Sequence, residues 1–255
     1  MRTALISDIH SNLEALQAVL SDVESVGVDR LFCLGDVVGY GPNPRECIDR
    51  LGSCDLYILG NHDLALLEEA YQEGFTPKAR EALIWTRRVL CNPSSPLVTN
   101  HVREFYDRFE KTHRENSVLY VHGSPRQPVE EYVFPGDVTF TAKMAAIFSL
   151  IERVCFVGHT HLPGIFLQEL AFIAPHDVPE GFDLPGDQKV LLNIGSVGQP
   201  RDGNPAASYV IFEENDGPGR VEFRRVPYDV EQTMAKIYQV QELHNDLGHR
   251  LAAGR

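Results

Sequence analysis

Short apolar runs alternate with amphipathic stretches over the first sixty residues. Residues 2–7 form a run of strand length, fit for burial on both faces. Leu13, Leu16, Leu20 and Val23 recur at +3, +4 and +3, the spacing of one helical face. Ser11, with Glu14 three residues later, reads as a capping box, and Gly27 stops the helix. Residues 31–34 predict a second buried strand. Asn43-Pro44 predicts the cap and first residue of a helix reaching Leu51, and residues 56–59 a third strand. Such alternation predicts a parallel sheet with helices on its faces.

Residues 64–116 read as helices, with starts at Thr76-Pro77 and at Asn100, and they contain the only Trp, Trp85. Two readings of this insertion stay open: a cap over the sheet edge, or extra packing on one face. The strand pattern resumes at 118–121 and 154–157, around a helix at 141–151. Further strands near Ile165, 190–194, 209–212 and 221–226 have no long helices between them, which predicts antiparallel pairing in a second sheet. Residues 230–247 read as a last helix with Met234, Ile237, Tyr238 and Gln241 on one stripe, and from Leu251 a frayed tail is expected.

Composition narrows the class. The 255 residues carry 23 Lys and Arg against 36 Asp and Glu, a net charge of −13, which disfavours electrostatic binding to nucleic acid or to acidic membranes. No apolar stretch approaches the roughly 18 residues of a membrane span, and the apolar run at the start is too short for a signal peptide. The cysteines at 33, 47, 54, 91 and 155 are odd in number and match no zinc spacing. They read as reduced thiols of a cytoplasmic protein.

The chemistry lies in five polar clusters, each just after a predicted strand: Asp8-Ile9-His10, Gly35-Asp36, Gly60-Asn61-His62-Asp63, His122-Gly123 and Gly158-His159-Thr160-His161. Ligands of open α/β sheets bind at the carboxyl ends of strands. Two carboxylates, one amide oxygen and several imidazoles make a mixed oxygen and nitrogen donor set, suited to Mn²⁺, Fe²⁺, Zn²⁺ or Ni²⁺. Asp8 and His10, two apart on extended backbone, would face the same way, and His159 and His161 repeat that spacing.

In this order, Asp-x-His, Gly-Asp, Gly-Asn-His-Asp, His and Gly-His-x-His, the set resembles the calcineurin-like metallophosphoesterase superfamily. The later run Asn193-Ile194-Gly195-Ser196-Val197-Gly198-Gln199-Pro200-Arg201 looks like the Asn-Pro-Gly-Ser…Pro-Arg segment of its small bacterial phosphodiesterase and phosphatase branch, with Ile194 in place of the proline. The resemblance implies an α/β fold: a two-sheet β-sandwich flanked by helices, one domain over 1–255 with a helical cap-like insertion at 64–116. It implies two divalent metal ions, Mn²⁺ foremost, with Fe, Zn or Ni as alternatives. Asp8, His10 and His161 would hold one ion, Asn61, His122 and His159 the other, and Asp36 would bridge them. The implied reaction is hydrolysis of a phosphomonoester or phosphodiester by a metal-bridging hydroxide. His62 would serve as proton donor beside the phosphoryl group, with Asn61 and Arg201 touching substrate. The implied partner is a small phosphate ester, not nucleic acid and not a membrane; the oligomeric state stays open.

Two departures matter. Protein phosphatases of the superfamily, and symmetrical dinucleoside tetraphosphatases, follow Gly-Asp with Asp-Arg-Gly, where the Asp orients the catalytic His and the Arg holds phosphate. Here Gly39 and Tyr40 stand in those places, so His62 needs another orienting group. Arg201 is either the missing cation or a surface arginine. Tyr40 reads as a neighbour of the leaving group or a turn residue. Asp63 reads as a cap or a support for the donors, and Asn12 as a substrate contact or a helix-start residue. His101, His113, His176, His244 and His249 belong to no motif and read as solvated or structural. Two alternatives remain: a nuclease of the same superfamily, for which a basic stripe is missing, and a non-catalytic protein-binding scaffold, which would predict a broken donor set.

Overall fold

The first apolar run lies at the centre of a sheet, buried from Thr3 to Ile6, because both of its faces are covered. The computed structural model describes residues 1–91, 99–214 and 217–255. Among these the strands are β1 (Arg2–Ile6), β2 (Arg30–Cys33), β3 (Leu56–Tyr57), β4 (His113–Glu115), β5 (Val118–Tyr120), β6 (Val154–Val157), β7 (Gly164–Leu167), β8 (Ala171–Ile173), β9 (Phe182–Asp183), β10 (Val190–Asn193), β11 (Ala207–Glu213) and β12 (Arg220–Val226). The α-helices are α1 (Leu13–Val26), α2 (Pro44–Arg50), α3 (Asn61–Leu67), α4 (Pro77–Leu90), α5 (Asn100–Tyr106), α6 (Thr141–Ser149), α7 (Val230–Gln239) and α8 (Asp246–Ala253).

Two six-stranded sheets result, ordered β3-β2-β1-β11-β12-β9 and β4-β5-β6-β10-β7-β8. Leu5, Phe32, Leu34, Tyr120, Phe156 and Phe212 fill the space between them, and the rings of Tyr120 and Phe156 stack at 5.6 Å. The alternate residues of the same strands face outward: Ala4, Ile6 and Ile211 meet Leu16 and Val19 of α1, and Cys155 and Leu191 meet Met144 and Ile147 of α6. This is the expected helix-flanked sandwich, its central strands β1, β6 and β10 burying both faces.

The parallel run β1-β2-β3 matches the expected β-α-β alternation. The later strands do not form one antiparallel sheet. β11 returns beside β1, with Leu5 opposite Val210, while β10 joins the other sheet, parallel to β6 and antiparallel to β7. β11 can take that central place because Tyr209 and Ile211 face the helices while Val210 and Phe212 face the other sheet.

Other boundaries also move. The α1 cap is Asn12, whose Oδ1 accepts from the Ala15 N–H at 3.2 Å. Ser11 sits at φ +55 and its hydroxyl has no partner; Glu14 turns away to accept from Thr233 at 3.0 Å and from Lys236. In the 64–116 stretch α4 and α5 are present, the former capped by Thr76, but His113–Glu115 is an edge strand paired with β5. Residues 92–98 of that stretch lie outside the described residues. The last expected helix breaks at Gln239. α8 then folds back, burying Leu247 and Leu251 against Ile237 and Leu243, and Gly254 ends it in the left-handed conformation. The expected fraying is absent because this apolar face is covered. Among the described residues no helix is long and apolar enough to cross a membrane.

Candidate metal centre

The donors follow β1, β2, β3, β5 and β6 at their carboxyl ends, on one edge of the sandwich, in loops except for Asn61, the first residue of α3. Their backbone is not extended as expected. Asp8, His10, Ser11, Asp36, Tyr40, His159 and His161 all have positive φ, between +48 and +67. The left-handed region costs a non-glycine residue about 1–2 kcal/mol, and the surrounding hydrogen bonds hold it. Asp36 O accepts from the Ile9 and His10 N–H groups at 2.9 and 3.0 Å, and Asp8 O accepts from the Gly198 N–H and the Ser196 hydroxyl at 2.9 and 2.8 Å. Local reversal, not strand alternation, turns both members of each Asp-x-His or His-x-His pair inward. Gly60 packs its Cα on Asp36 so closely that a Cβ would strike the Asp36 carboxylate and N–H, which explains the glycine of that block.

All seven expected donors converge. One group is Asp8, His10 and His161, another Asp36, His122 and His159. Asp36 Oδ2 stands 3.7 Å from His10 Nε2 and 3.4 Å from His122 Nε2, within reach of both groups. Asn61 Oδ1 lies 3.3 Å from His122 Nε2.

The ring tautomers test whether cations fit. His10 Nδ1 donates to Val38 O at 3.1 Å and His161 Nδ1 to Gln199 O at 2.6 Å. Burial holds both imidazoles below their ordinary value, hence neutral. Their bare Nε2 atoms then face each other at 3.1 Å, with Asp8 Oδ1 3.2 Å from the second. Three acceptors around one space, with no proton among them, fit a cation. At the other group His159 Nε2 donates to Glu130 O at 3.0 Å and His122 Nδ1 to Leu34 O at 2.8 Å. Burial opposes charge on His122, yet Asp36 and Asp8 push it up to about 9. Burial likewise opposes ionisation of Asp8 and Asp36, but the charge of His122 holds both carboxyls well below the usual range. Two buried carboxylates thus draw positive charge to this edge, and the donor set fits two divalent ions.

His62 is placed differently. Its N–H donates to Asp36 Oδ1 at 2.8 Å, and its ring meets those of His10, Tyr40 and Phe75 at 4.7, 4.6 and 4.7 Å. Its buried Nδ1 has no hydrogen-bond partner and lies against Gly39, where a Cβ would collide with it. Packing against these rings and Gly39 holds the His62 ring in place. A ring nitrogen of His62 also lies within 4.8 Å of donors on His10 and Asp36.

Asp63 supports the centre. Its Oδ2 accepts from the Asp36 N–H at 2.7 Å and its Oδ1 from the Val37 N–H and the Tyr106 hydroxyl at 3.0 and 2.9 Å. Asn12 is a structural residue, donating to Gly198 O and the Tyr228 hydroxyl at 2.9 and 3.1 Å. Arg201 is half-buried, its main-chain N–H donating to His161 O at 3.2 Å.

A cleft of about 330 Å³ opens over Asn61, His62 and His159, walled by Tyr40, Tyr71, Phe75 and Tyr132. Tyr71 and Phe75 belong to the 64–116 stretch, so part of that insertion borders the centre. The pattern along the chain had singled out neither Phe75 nor Tyr132. The Tyr132 ring stacks on His159 at 3.7 Å and is 41% exposed; its one sequence signal is an aromatic pair, Tyr132 and Phe134, in a segment without periodicity.

Residues 1–217 match the profile of the calcineurin-like phosphoesterase superfamily domain. The chain is similar to an uncharacterized protein of Methanocaldococcus jannaschii, 38% identical over 99% of this chain and 98% of that protein. It is also similar to the crystal structure of a metallophosphoesterase from Sphaerobacter thermophilus, 38% identical with a TM-score of 0.81, over 100% of this chain and 99% of that one. A symmetrical bis(5'-nucleosyl)-tetraphosphatase from Citrobacter koseri is 38% identical, over only 34% of this chain and 37% of that protein.

Proposed function

Since the chain belongs to the calcineurin-like phosphoesterase superfamily, we propose that it is a dimetal-dependent enzyme hydrolysing a small phosphomonoester or phosphodiester. The carrying observation is the pair of bare Nε2 atoms of His10 and His161, 3.1 Å apart beside Asp8. Asp8, His10 and His161 would hold one ion, Asn61, His122 and His159 the second, and Asp36 both, with Mn²⁺ foremost and Fe, Zn or Ni as alternatives. Two such ions supply Lewis acidity toward the phosphoryl oxygens and a lowered pKa for water between them.

The chain's own residues do the rest. The strained loops hold the donors before substrate arrives, so little reorganisation is left to the reaction. His62, fixed by its ring neighbours, stands at the cleft where it can pass a proton to a leaving oxygen. Tyr71, Phe75 and Tyr132 give the cleft aromatic walls that suit a planar group on the ester. The short stretch of identity with a tetraphosphatase makes nucleotide esters the first substrates to test. The unit is the whole of 1–255, with the insertion forming one wall, and its buried Cys33, Cys47, Cys54 and Cys155 fit a reducing cytoplasm.

The experiment is hydrolysis of bis-p-nitrophenyl phosphate and p-nitrophenyl phosphate with and without metal. Chelation should abolish turnover and Mn²⁺ restore it, and Asp36→Asn should bind at least one ion fewer. Equal turnover by metal-free protein would refute the reading; two ions and full activity in the variant would refute the bridge.

A further inference from the structure

The carbonyl that sets His159 lies in an irregular segment. His122 Nδ1 donates to Leu34 O, one residue beyond β2, and so is fixed by the sheet. His159 Nε2 donates instead to Glu130 O at 3.0 Å, and residues 121–134 contain neither helix nor strand. That bond leaves His159 Nδ1 bare, 3.1 Å from His122 Nε2, the tautomer a cation needs there. The Tyr132 ring, two residues on, covers one face of the same imidazole. Something other than regular structure must therefore hold residues 130–132.

Side chains close this segment on itself. The Gly123 N–H donates to Pro128 O at 2.6 Å, and the Glu131 N–H to Gln127 O at 3.4 Å. Ser124 Oγ accepts from the Arg126 and Gln127 N–H groups, both at 3.1 Å, and donates to Glu131 Oε2. Arg126 grips the same carboxylate through both oxygens, its Nε 3.0 Å from Oε2. The Glu131 side chain is only 11% exposed, so water and salt compete little for these charge-assisted bonds. The loop is drawn so close that a Cβ on Gly123 would stand 2.9 Å from Gln127 O and 3.0 Å from the Glu131 nitrogen, which accounts for the glycine after His122. His122 thus opens a closed loop whose far side carries the acceptor and the ring that touch His159.

We propose that Glu131 is a positioning residue for the ion of Asn61, His122 and His159. Its carboxylate, clasped by Ser124 and Arg126, closes the loop and so holds Glu130 O and the Tyr132 ring on the His159 imidazole. This rests on the dimetal reading and adds that the two ions depend on different parts of the chain. The clasp serves one of them, while His10 and His161 find their acceptors, Val38 O and Gln199 O, elsewhere.

The test uses the full chain with Glu131→Ala, or with Ser124→Ala if that variant fails to fold. In metal-free protein, the imidazole nitrogen NMR shifts of His159 should report a single Nε2–H tautomer in the wild type and a mixture in the variant. Calorimetric titration with Mn²⁺ should show one ion weakened about 10–100-fold and the other within about threefold of wild type. Glu131→Gln, which keeps an accepting oxygen, should bring the weakened ion back to within about threefold. Both ions unchanged, both weakened alike, or a single His159 tautomer in the variant overturns the clasp alone. A wild type that binds no Mn²⁺ overturns the dimetal reading and the clasp with it.

Discussion

Removing the Asp63 carboxylate should loosen the centre without touching a candidate donor. Asp63 is wholly buried. It accepts from the N–H groups of Asp36, Val37 and Gly60 and from the Tyr106 hydroxyl, at 2.7, 3.0, 3.3 and 2.9 Å. Asp63→Ala leaves four buried donors without an acceptor, at about 1–3 kcal/mol each. Two effects offset this. The carboxyl is itself costly to bury, pushed up to about 7 by burial and by Asp36, and water can enter the polar cavity left behind. The net loss should be about 3–5 kcal/mol, the low end of the sum. At about 2–4 °C per kcal/mol for a chain of this size, the metal-free variant should melt roughly 10 °C lower. Asp36 would also lose a main-chain anchor, and Mn²⁺ affinity should fall about 10–100-fold. Scanning calorimetry reads the first effect and metal titration the second. A variant that melts with the wild type and binds both ions unchanged would refute the view that Asp63 holds the Asp36 loop.

His62→Ala should retain both ions and lose about 10²–10⁴ in rate, less for nitrophenyl esters than for alkyl esters, whose leaving oxygens need the proton. Equal losses would point to stabilisation of phosphoryl oxygens instead, and loss of an ion would make His62 a ligand. Far from the centre, Asp22 accepts three hydrogen bonds from Arg224, at 3.0, 3.1 and 3.2 Å, and one from Tyr209 at 2.6 Å. Partial burial opposes its ionisation, yet these partners hold its carboxyl below the ordinary value. A depressed folded pKa gives stability present above the unfolded value and lost as pH falls through the folded one. Asp22→Asn should therefore cost about 1 kcal/mol or less near neutral pH, given the partial exposure, and still less in acid. Urea melts at pH 7 and pH 3 check this; a gap that widens in acid would contradict it.

The donor set was legible because each block is local. Asp8 and His10 follow one buried apolar run, His159 and His161 another, and a strand end is recognisable from a dozen residues. Which donors share a space was legible only through family likeness, and how they turn inward was misjudged. Alternation along an extended chain would have aimed Asp8 and His10 alike, whereas left-handed turns at φ +53 and +48 do so. Backbone reversal of that kind is stabilised by hydrogen bonds to Asp36 O and from Ser196 and Gly198, residues far away in sequence. The same distance hid the placing of β11 beside β1 and the return of α8, whose Leu251 reads as the start of a frayed tail until Ile237 and Leu243 cover it. Phe75 against His62 and Tyr132 against His159 left no periodic trace at all. Sequence alone determined which chemical groups the protein has and that they sit at strand ends, since hydrophobic period and turn residues are short-range properties. Tertiary structure alone decided which nitrogen of each ring is bare, because this depends on partners that only the folded chain brings within 3 to 4 Å.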